Sequence, residues 1–459
     1  VKKKKKKINM TQKEAASIAR VGVRFLSELE NGKPTLEIDK VLNVARLFGI
    51  DIEANNRWKT LIVFHRGKLV GSILDKASTG ISFQYSDDAD FRLSVSLPLS
   101  NKIYTAKEIE PFFSGLLPDG ELREQIAKDA HVSSSSWFKL LSNYGREIAG
   151  AIEIIEDDEE SSDPTKYSYT KLQKEEISTR LSNANAIPLL TWGGKTRMSL
   201  AGAQNKIALF QKEGELYMPN GGAPTNVILK AGVNSYSINE YATTHIASYL
   251  GINTPETLIK DYDGTLAFIT RRFDRKEVDE EVIRLHQEDM CQALSVVPEN
   301  KYEEDGGPSF IKIKDLLIRV TETPIIYCKE FAKIVIFNYL FGNCDAHGKN
   351  YALLYPDSSS NPILAPFYDL LCTTIYDGLS RKMAMKIGRE KEINRITKND
   401  IIECSIVGKK EMMSILDFFI SNIPFAFCRA KNELEEIAQP MIDAIERDVM
   451  ERIRKILKA

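Results

Sequence analysis

The stretch FGNCDAHGKNYALL, Phe341–Leu354, carries Asp345 and Asn350 five residues apart on what reads as one loop. A carboxylate there can take the proton of an attacking hydroxyl. An amide oxygen on the same loop can reach a divalent cation that bridges phosphates. Lys349 can offset charge on a group in transit, and His347 lies inside the same turn as a supporting residue. Further on, LAPFYDLL (Leu364–Leu371) supplies a second carboxylate, Asp369, after a strand-like segment. Two carboxylates and an Asn, without a His/Cys ligand cluster, suit Mg²⁺ rather than Zn²⁺.

Working outward, NVILK (Asn226–Lys230) reads as a short apolar strand ending in Lys. Asn239-Glu240 opens a helical segment through Leu250, so that Glu240 can pair with Lys230. Before the strand lies SLAGAQNK (Ser199–Lys206), a loop with one Gly whose backbone N–H groups can meet phosphate. Each feature alone has a plain structural explanation, since a strand-ending Lys is usually solvated and a lone Asp beside an Asn is usually a turn. Their order carries the weight: loop, strand Lys, helix Glu, Asp…Asn, then Asp. That is the order of a kinase-type phosphotransferase. The text GGKT at Gly193–Thr196 is not a P-loop, because the required earlier Gly is Leu189.

The chain has 459 residues, 43% apolar and 27% charged, the composition of a globular protein of several domains. No apolar run approaches the roughly 18 residues of a membrane span, and no signal-peptide pattern is seen. Six cysteines form no CxxC pair. The expectation is a cytoplasmic protein with free thiols and no membrane partner. A net charge of −2 hides a basic head, because residues 1–50 hold 12 Lys+Arg against 5 Asp+Glu, half of the former in Lys2–Lys7. Such asymmetry fits a polyanion partner at one end.

Within that head Thr11 and Glu14 read as a capping box, Val23–Glu30 as a second helix, and Ile38, Val41, Leu42 and Ala45 as the apolar face of a third. The text TQKEAASIARVGVRFLSELENGKPT resembles the helix-turn-helix of phage-repressor-type antitoxins, most closely the HipB family. That resemblance implies a recognition helix presenting Val23, Arg24, Ser27 and Glu28 to operator DNA, usually as a homodimer. Arg20 occupies the turn where the pattern has Gly, and a left-handed backbone there costs energy for any other residue. A helical protein-interaction module remains the alternative.

The body resembles the HipA serine/threonine kinase toxins from about residue 58 onward. SLAGAQNK, VILK, NEY (Asn239–Tyr241), RRFDR (Arg271–Arg275), HQEDMCQAL (His286–Leu294), KYEEDGGP (Lys301–Pro308), CDAHGKN and PFYDL follow that family in order. The resemblance implies an α+β, two-lobed protein-kinase-like fold, use of ATP and Mg²⁺, and phosphorylation of a protein serine. For some members that substrate is an aminoacyl-tRNA synthetase, and its modification arrests growth. Carried over by position, Asp345 resembles the catalytic base, with Asn350 and Asp369 as metal ligands. Lys230 and the loop Ala201, Gly202, Ala203, Gln204, Asn205 and Lys206 would hold the nucleotide phosphates. Arg271, Arg272 and Phe273 match the hinge that holds adenine, and Ser199 matches the serine that such kinases autophosphorylate. The expected organisation is a DNA-binding head over 1–55, an N-terminal subdomain over 58–158, a linker over 159–185, a nucleotide-binding lobe over 186–310 and a helical lobe over 311–459. Two other readings stay open: a transcriptional regulator with a non-catalytic ATP-binding body, and a small-molecule or lipid kinase.

Overall fold

The computed structural model describes residues 10–31, 33, 35–48, 59–76, 80–184, 189–192, 195–196, 205–230, 235–279, 281–356 and 361–458. These fall into two units, Val1–Trp58 and Lys59–Ala459.

The first unit is all-α, with helices Gln12–Ile18, Val23–Glu30 and Ile38–Leu47. The Thr11 capping box forms as the sequence predicts, with the Thr11 N–H donating to Glu14 Oε2 at 2.8 Å. Arg20 adopts the left-handed conformation required of it, at φ 53°. Ala15, Ala16, Leu26, Val44 and Phe48 belong to a small core.

The second unit opens with a five-stranded antiparallel sheet. Strands β1 (Lys59–His65), β2 (Lys68–Lys76), β3 (Gly80–Tyr85), β4 (Tyr104–Thr105) and β5 (Ile152–Glu156) run in the order β4-β3-β2-β1-β5. Arg66 and Gly67 turn the first hairpin with φ of 50° and 77°, the two positive values that a tight twisted hairpin needs. The alternation of apolar and polar residues over Phe91–Leu99 predicts a strand, but the stretch forms only an isolated bridge between Ser94 and Leu97. Its apolar residues Leu93 and Leu97 are instead anchored by the Tyr85 hydroxyl, which accepts from Leu93 N–H at 3.0 Å and donates to Leu97 O at 2.5 Å. The text from Phe112 to Ala130 reads as helical, and the structure has two helices there, Ala106–Gly115 and Gly120–Asp129, separated by Leu116–Asp119 with Pro118 in the break.

A six-stranded sheet follows. After β6 (Ser168–Lys171) and the short hairpin of β7 (Thr191–Trp192) with β8 (Lys195–Thr196), the strands are β9 (Lys206–Lys212), β10 (Glu215–Asn220), β11 (Val227–Lys230), β12 (Thr257–Tyr262) and β13 (Thr265–Arg271). The sheet order is β12-β13-β11-β9-β10-β6. The expected linker over 159–185 is therefore partly structured. Its β6 pairs antiparallel with β10, and its helix Lys174–Ser182 buries Ile177 and Leu181. The acidic text before it hid these elements, because one edge strand and one helix of low amphipathicity leave little periodic signal.

The rest combines three small sheets, of two, three and two strands, with a helical lobe around a large core, built on helices Phe310–Val320, Pro324–Leu340, Lys409–Glu433 and Gln439–Lys458. Helix Lys409–Glu433 is long and apolar enough to cross a membrane by length and composition. Met412, Ile415, Leu416, Phe419 and Ile423 along it are buried in the core, which accounts for that composition. Ile442, Ile445, Val449, Ile453 and Ile456 line one buried face of the last helix, as their spacing predicts.

Candidate active site

Helix Pro324–Leu340 ends at a tight corner, and residues 341–351 follow it across the cleft. Gly342 has φ 66°, and a Cβ there would lie 1.9 Å from Thr374 Oγ1, so the corner accepts only glycine. Asn343 links the two acidic segments. Its amide oxygen accepts from the Asp345 N–H at 3.3 Å, and its Nδ2 donates to the Asp369 carbonyl at 3.3 Å. Asp369 itself stands at φ 54°, a strained position that Asp tolerates better than most residues and that functional sites collect.

Lys230 ends β11, with Lys206 opposite it on β9 and Phe268 opposite it on β13. The Lys230 ammonium reaches both oxygens of Glu240 at 2.7 Å and Asp369 Oδ1 at 3.2 Å. Burial opposes its charge, but Glu240 and then Asp369 outweigh that and raise its pKa. Burial likewise opposes the charge of Asp369, and Lys230 with Lys206 holds its carboxyl below the ordinary value. Lys206, buried and beside a second cation, is pulled down to about 8 chiefly by desolvation.

Asp345 Oδ1 accepts from the Tyr302 hydroxyl at 2.8 Å. Asn350 Nδ2 donates to the Asp345 carbonyl at 3.2 Å, which turns the amide oxygen the other way. His347 packs edge-on against the Tyr302 ring at 5.3 Å, and burial lowers its pKa to about 4, so the ring is neutral at pH 7.

One cavity of about 670 Å³ is walled by every described body residue that the sequence singled out, except Asn205. Lys230, Asp345, Asn350 and Asp369 share that cavity. For a cation, Asp369 and the Asn350 amide oxygen offer two hard oxygen donors. No group of three His, Cys, Asp or Glu side chains poised for a metal occurs among the described residues. Such a sparse donor set fits Mg²⁺, which keeps most of its water and is completed by phosphate oxygens.

Four expectations change. Asn205 faces away from phosphate, its side chain accepting from Leu189 N–H at 2.8 Å and donating to Ala184 O at 2.7 Å. Lys349 is not aimed at a group in transit. Its buried ammonium lies 3.5 Å from Asp119 and 3.8 Å from Asp289, and donates to Gly115 O at 3.3 Å. Arg272 spends its guanidinium on Asp274 at 2.9 and 2.7 Å and on Thr225 at 2.9 Å. Arg271 is drawn to Glu277 at 2.6 Å. Of the hinge trio only Phe273 offers a flat apolar surface, stacked on Tyr368 at 5.3 Å. Ser199 and Ala201–Gln204 lie outside the described residues. Sequence reading left Tyr302, Asn343, Asp119 and Asp289 without a role. Tyr302 lay inside the quoted KYEEDGGP segment, whereas Asp119 had no signal beyond its place before a helix.

In the head, Val23 is exposed and Arg24 fully so, while Ser27 and Glu28 are half-buried on the same helix. Arg24 pairs with Glu28 at 3.2 Å, and Lys33 reaches the same carboxylate at 3.0 Å.

Comparison with known proteins agrees with this layout. The HipA-like C-terminal domain family matches residues 198–449, the HipA N-terminal domain family residues 61–155, and the helix-turn-helix family residues 1–55. The Sinorhizobium fredii protein Y4mE, which bears a kinase name, is 36% identical over 343 residues, 72% of this chain and 81% of that protein. The serine/threonine-protein kinase toxin HipA of Shewanella oneidensis is 29% identical over 358 residues, 74% of this chain and 81% of that one. The solved Shewanella oneidensis complex of HipA, HipB and operator DNA contains a chain that superposes with a TM-score of 0.76 at 26% identity, covering 87% of this chain and 97% of that one. The head is 47% identical over 49 residues to the HTH-type transcriptional regulator y4mF of Sinorhizobium fredii, 11% of this chain and 64% of that protein. The chain belongs to the HipA family of serine/threonine kinases, with a helix-turn-helix domain joined to the kinase in one polypeptide.

Proposed function

We propose that the body transfers the γ-phosphoryl group of ATP to a protein serine or threonine, that it modifies its own Ser199, and that the head binds operator DNA. The observation that carries the reading is the ion cluster Lys230–Glu240–Asp369 opening into the same cavity as Asp345 and Asn350. Asp345 takes the proton of the attacking hydroxyl as the new O–P bond forms and the bond to the leaving ADP oxygen breaks. Tyr302 holds one carboxylate oxygen of Asp345 and leaves the other to that hydroxyl. Lys230 and Lys206 draw in the nucleotide phosphates, and the Phe273–Tyr368 stack offers the adenine an apolar face. Mg²⁺, held by Asp369 and Asn350, would neutralise phosphate charge.

Phosphate on Ser199 adds roughly −1.5 to −2 charge to a chain that must bind an anionic nucleotide, which makes self-modification inhibitory. The protein substrate in the cell, with an aminoacyl-tRNA synthetase as the family precedent, is sought by comparing phosphopeptides after expression of the native chain and of Asp345→Ala. Labelled ATP is the direct test. The native chain incorporates label, with Ser199 among the modified sites, and Asp345→Asn loses about 10³-fold or more in rate while still binding ATP. No label on Ser199 or on any added protein would sink the reading and leave a DNA-binding regulator.

A further inference from the structure

We infer that Asp119, in the N-terminal subdomain, is a positioning residue for phosphoryl transfer: it clamps the catalytic loop through Lys349 and Lys301. The inference rests on the kinase reading above and extends it to a subdomain outside the two kinase lobes.

Asp119 precedes helix Gly120–Asp129 with the backbone of an N-cap, φ −103° and ψ 162°. An Asp in that place ordinarily bonds the free N–H groups of its own helix and stabilises it. Here its carboxylate makes no capping bond. It turns instead to two ammonium groups, Lys349 at 3.5 Å and Lys301 at 3.6 Å. A residue that forgoes its local preference marks a place where another demand prevails.

Both lysines are neighbours of the chemistry. Lys349 directly precedes Asn350, and Lys301 directly precedes Tyr302, whose hydroxyl donates to Asp345. The Lys301 carbonyl also accepts the Gly348 N–H at 3.1 Å. One carboxylate thus reaches Asn350 through its chain neighbour Lys349, and Asp345 through Lys301 and then Tyr302. A second point of the same subdomain, the Gly115 carbonyl, accepts from Lys349 at 3.3 Å. The loop is also closely packed, since a Cβ at Gly348 would lie 2.6 Å from Pro308 and 2.8 Å from Cys291 Sγ. Releasing Asp119 removes a contact that holds the loop against the N-terminal subdomain, and a shift of about 1 Å in a reacting group costs on the order of 10² in rate.

The test uses the full chain with ATP and Mg²⁺. Asp119→Asn is expected to lower kcat about 100-fold with KM for ATP held within about threefold. Asp119→Glu should recover part of the loss. Ile126→Val, in the core of the same subdomain, should lower the melting temperature and leave kcat unchanged. If Asp119→Asn does not fold, Lys301→Met releases one arm alone and must slow kcat in the same sense. A kcat within about threefold of the native value in Asp119→Asn overturns the inference, as does an equal loss in Ile126→Val. If the native chain transfers no phosphate, the kinase reading has failed, and amide exchange decides the clamp separately. Faster exchange at Gly348 and Asn350 in Asp119→Asn supports it, and unchanged exchange removes it.

Discussion

Two buried lysines in this cleft are built alike and behave differently. Lys230 lies between Glu240 and Asp369, and Lys349 between Asp119 and Asp289. Their side chains are 7% and 4% exposed. Around Lys230 the contacts are short, 2.7 and 3.2 Å, and one partner, Asp369, keeps a third of its side chain open to the cavity. That partner can be shared with an arriving cation, and the ammonium with arriving phosphate. Around Lys349 the contacts are longer, and the remaining donor capacity goes to a backbone carbonyl. Its partners come from separate parts of the chain, so the group joins segments and has nothing left for a ligand. A Lys beside a catalytic Asp is therefore read by what surrounds its nitrogen, not by its place in a motif.

Replacing each lysine by Met pulls the two apart most strongly. Lys349→Met leaves buried Asp289 without its cation and Asp119 with Lys301 alone, and unfolding in denaturant should show a loss of about 3 kcal/mol. Nucleotide affinity, measured by calorimetry with a non-hydrolysable ATP analogue, should change little. Lys230→Met should weaken that affinity more than tenfold. Burial and the Asp369 charge already raise the pKa of Glu240 against the pull of Lys230, so this carboxyl takes up a proton once the cation is gone. Equal losses of nucleotide affinity in both variants would erase the distinction.

Another buried carboxylate, Glu288, is held by neutral hydrogen-bond donors, with the charge of Arg92 the smallest influence on it, and sharpens the contrast. It receives Val95 N–H at 3.0 Å, the Tyr355 hydroxyl at 2.5 Å and the Ser94 hydroxyl. Desolvation pushes it up to about 7. A carboxyl raised in the folded state stabilises most below its unfolded pKa, and the advantage fades as pH rises through the folded one. Between pH 4.5 and 7, then, stability should fall by on the order of 2 kcal/mol from this group. Glu288→Gln, which keeps a neutral amide in the same place, should flatten that part of the melting-temperature profile. A profile with the native slope in Glu288→Gln would assign the slope to another group.

These contrasts also show what the chain text could and could not reveal. The Lys230–Glu240 pair was legible because strand, Lys, helix and Glu occur within about one supersecondary unit, where local periodicity fixes relative position. The helix-turn-helix was legible for the same reason, down to the left-handed Arg20. Lys349 was misread because its partners sit 230 and 60 residues away in sequence, and nothing local announces them. Asn205 failed likewise, since its side chain bridges Leu189 N–H and the Ala184 carbonyl. The linker was overdrawn because an edge strand and a short helix in an acidic context lack the alternation or the apolar stripe by which such elements are found. Local pattern gives elements, and only tertiary contact says which face of a motif is used.

The smallest effect belongs to the exposed counterpart of these buried pairs, Arg24 with Glu28 in the head. The Arg24 side chain is 91% open to solvent, so its pairing at 3.2 Å is screened and held by little. Arg24→Ala should leave the melting of the head unchanged. What it should alter is binding to operator DNA. If Arg24 meets a backbone phosphate, affinity drops about equally on specific and random duplexes, and the slope of log affinity against log salt shrinks by about one. If it meets a base edge, the loss falls on the specific sequence, by about 1–3 kcal/mol, with the salt slope nearly unchanged. Unaltered binding to both duplexes would take Arg24 off the DNA-facing surface and leave its partnership with Glu28 as its whole role.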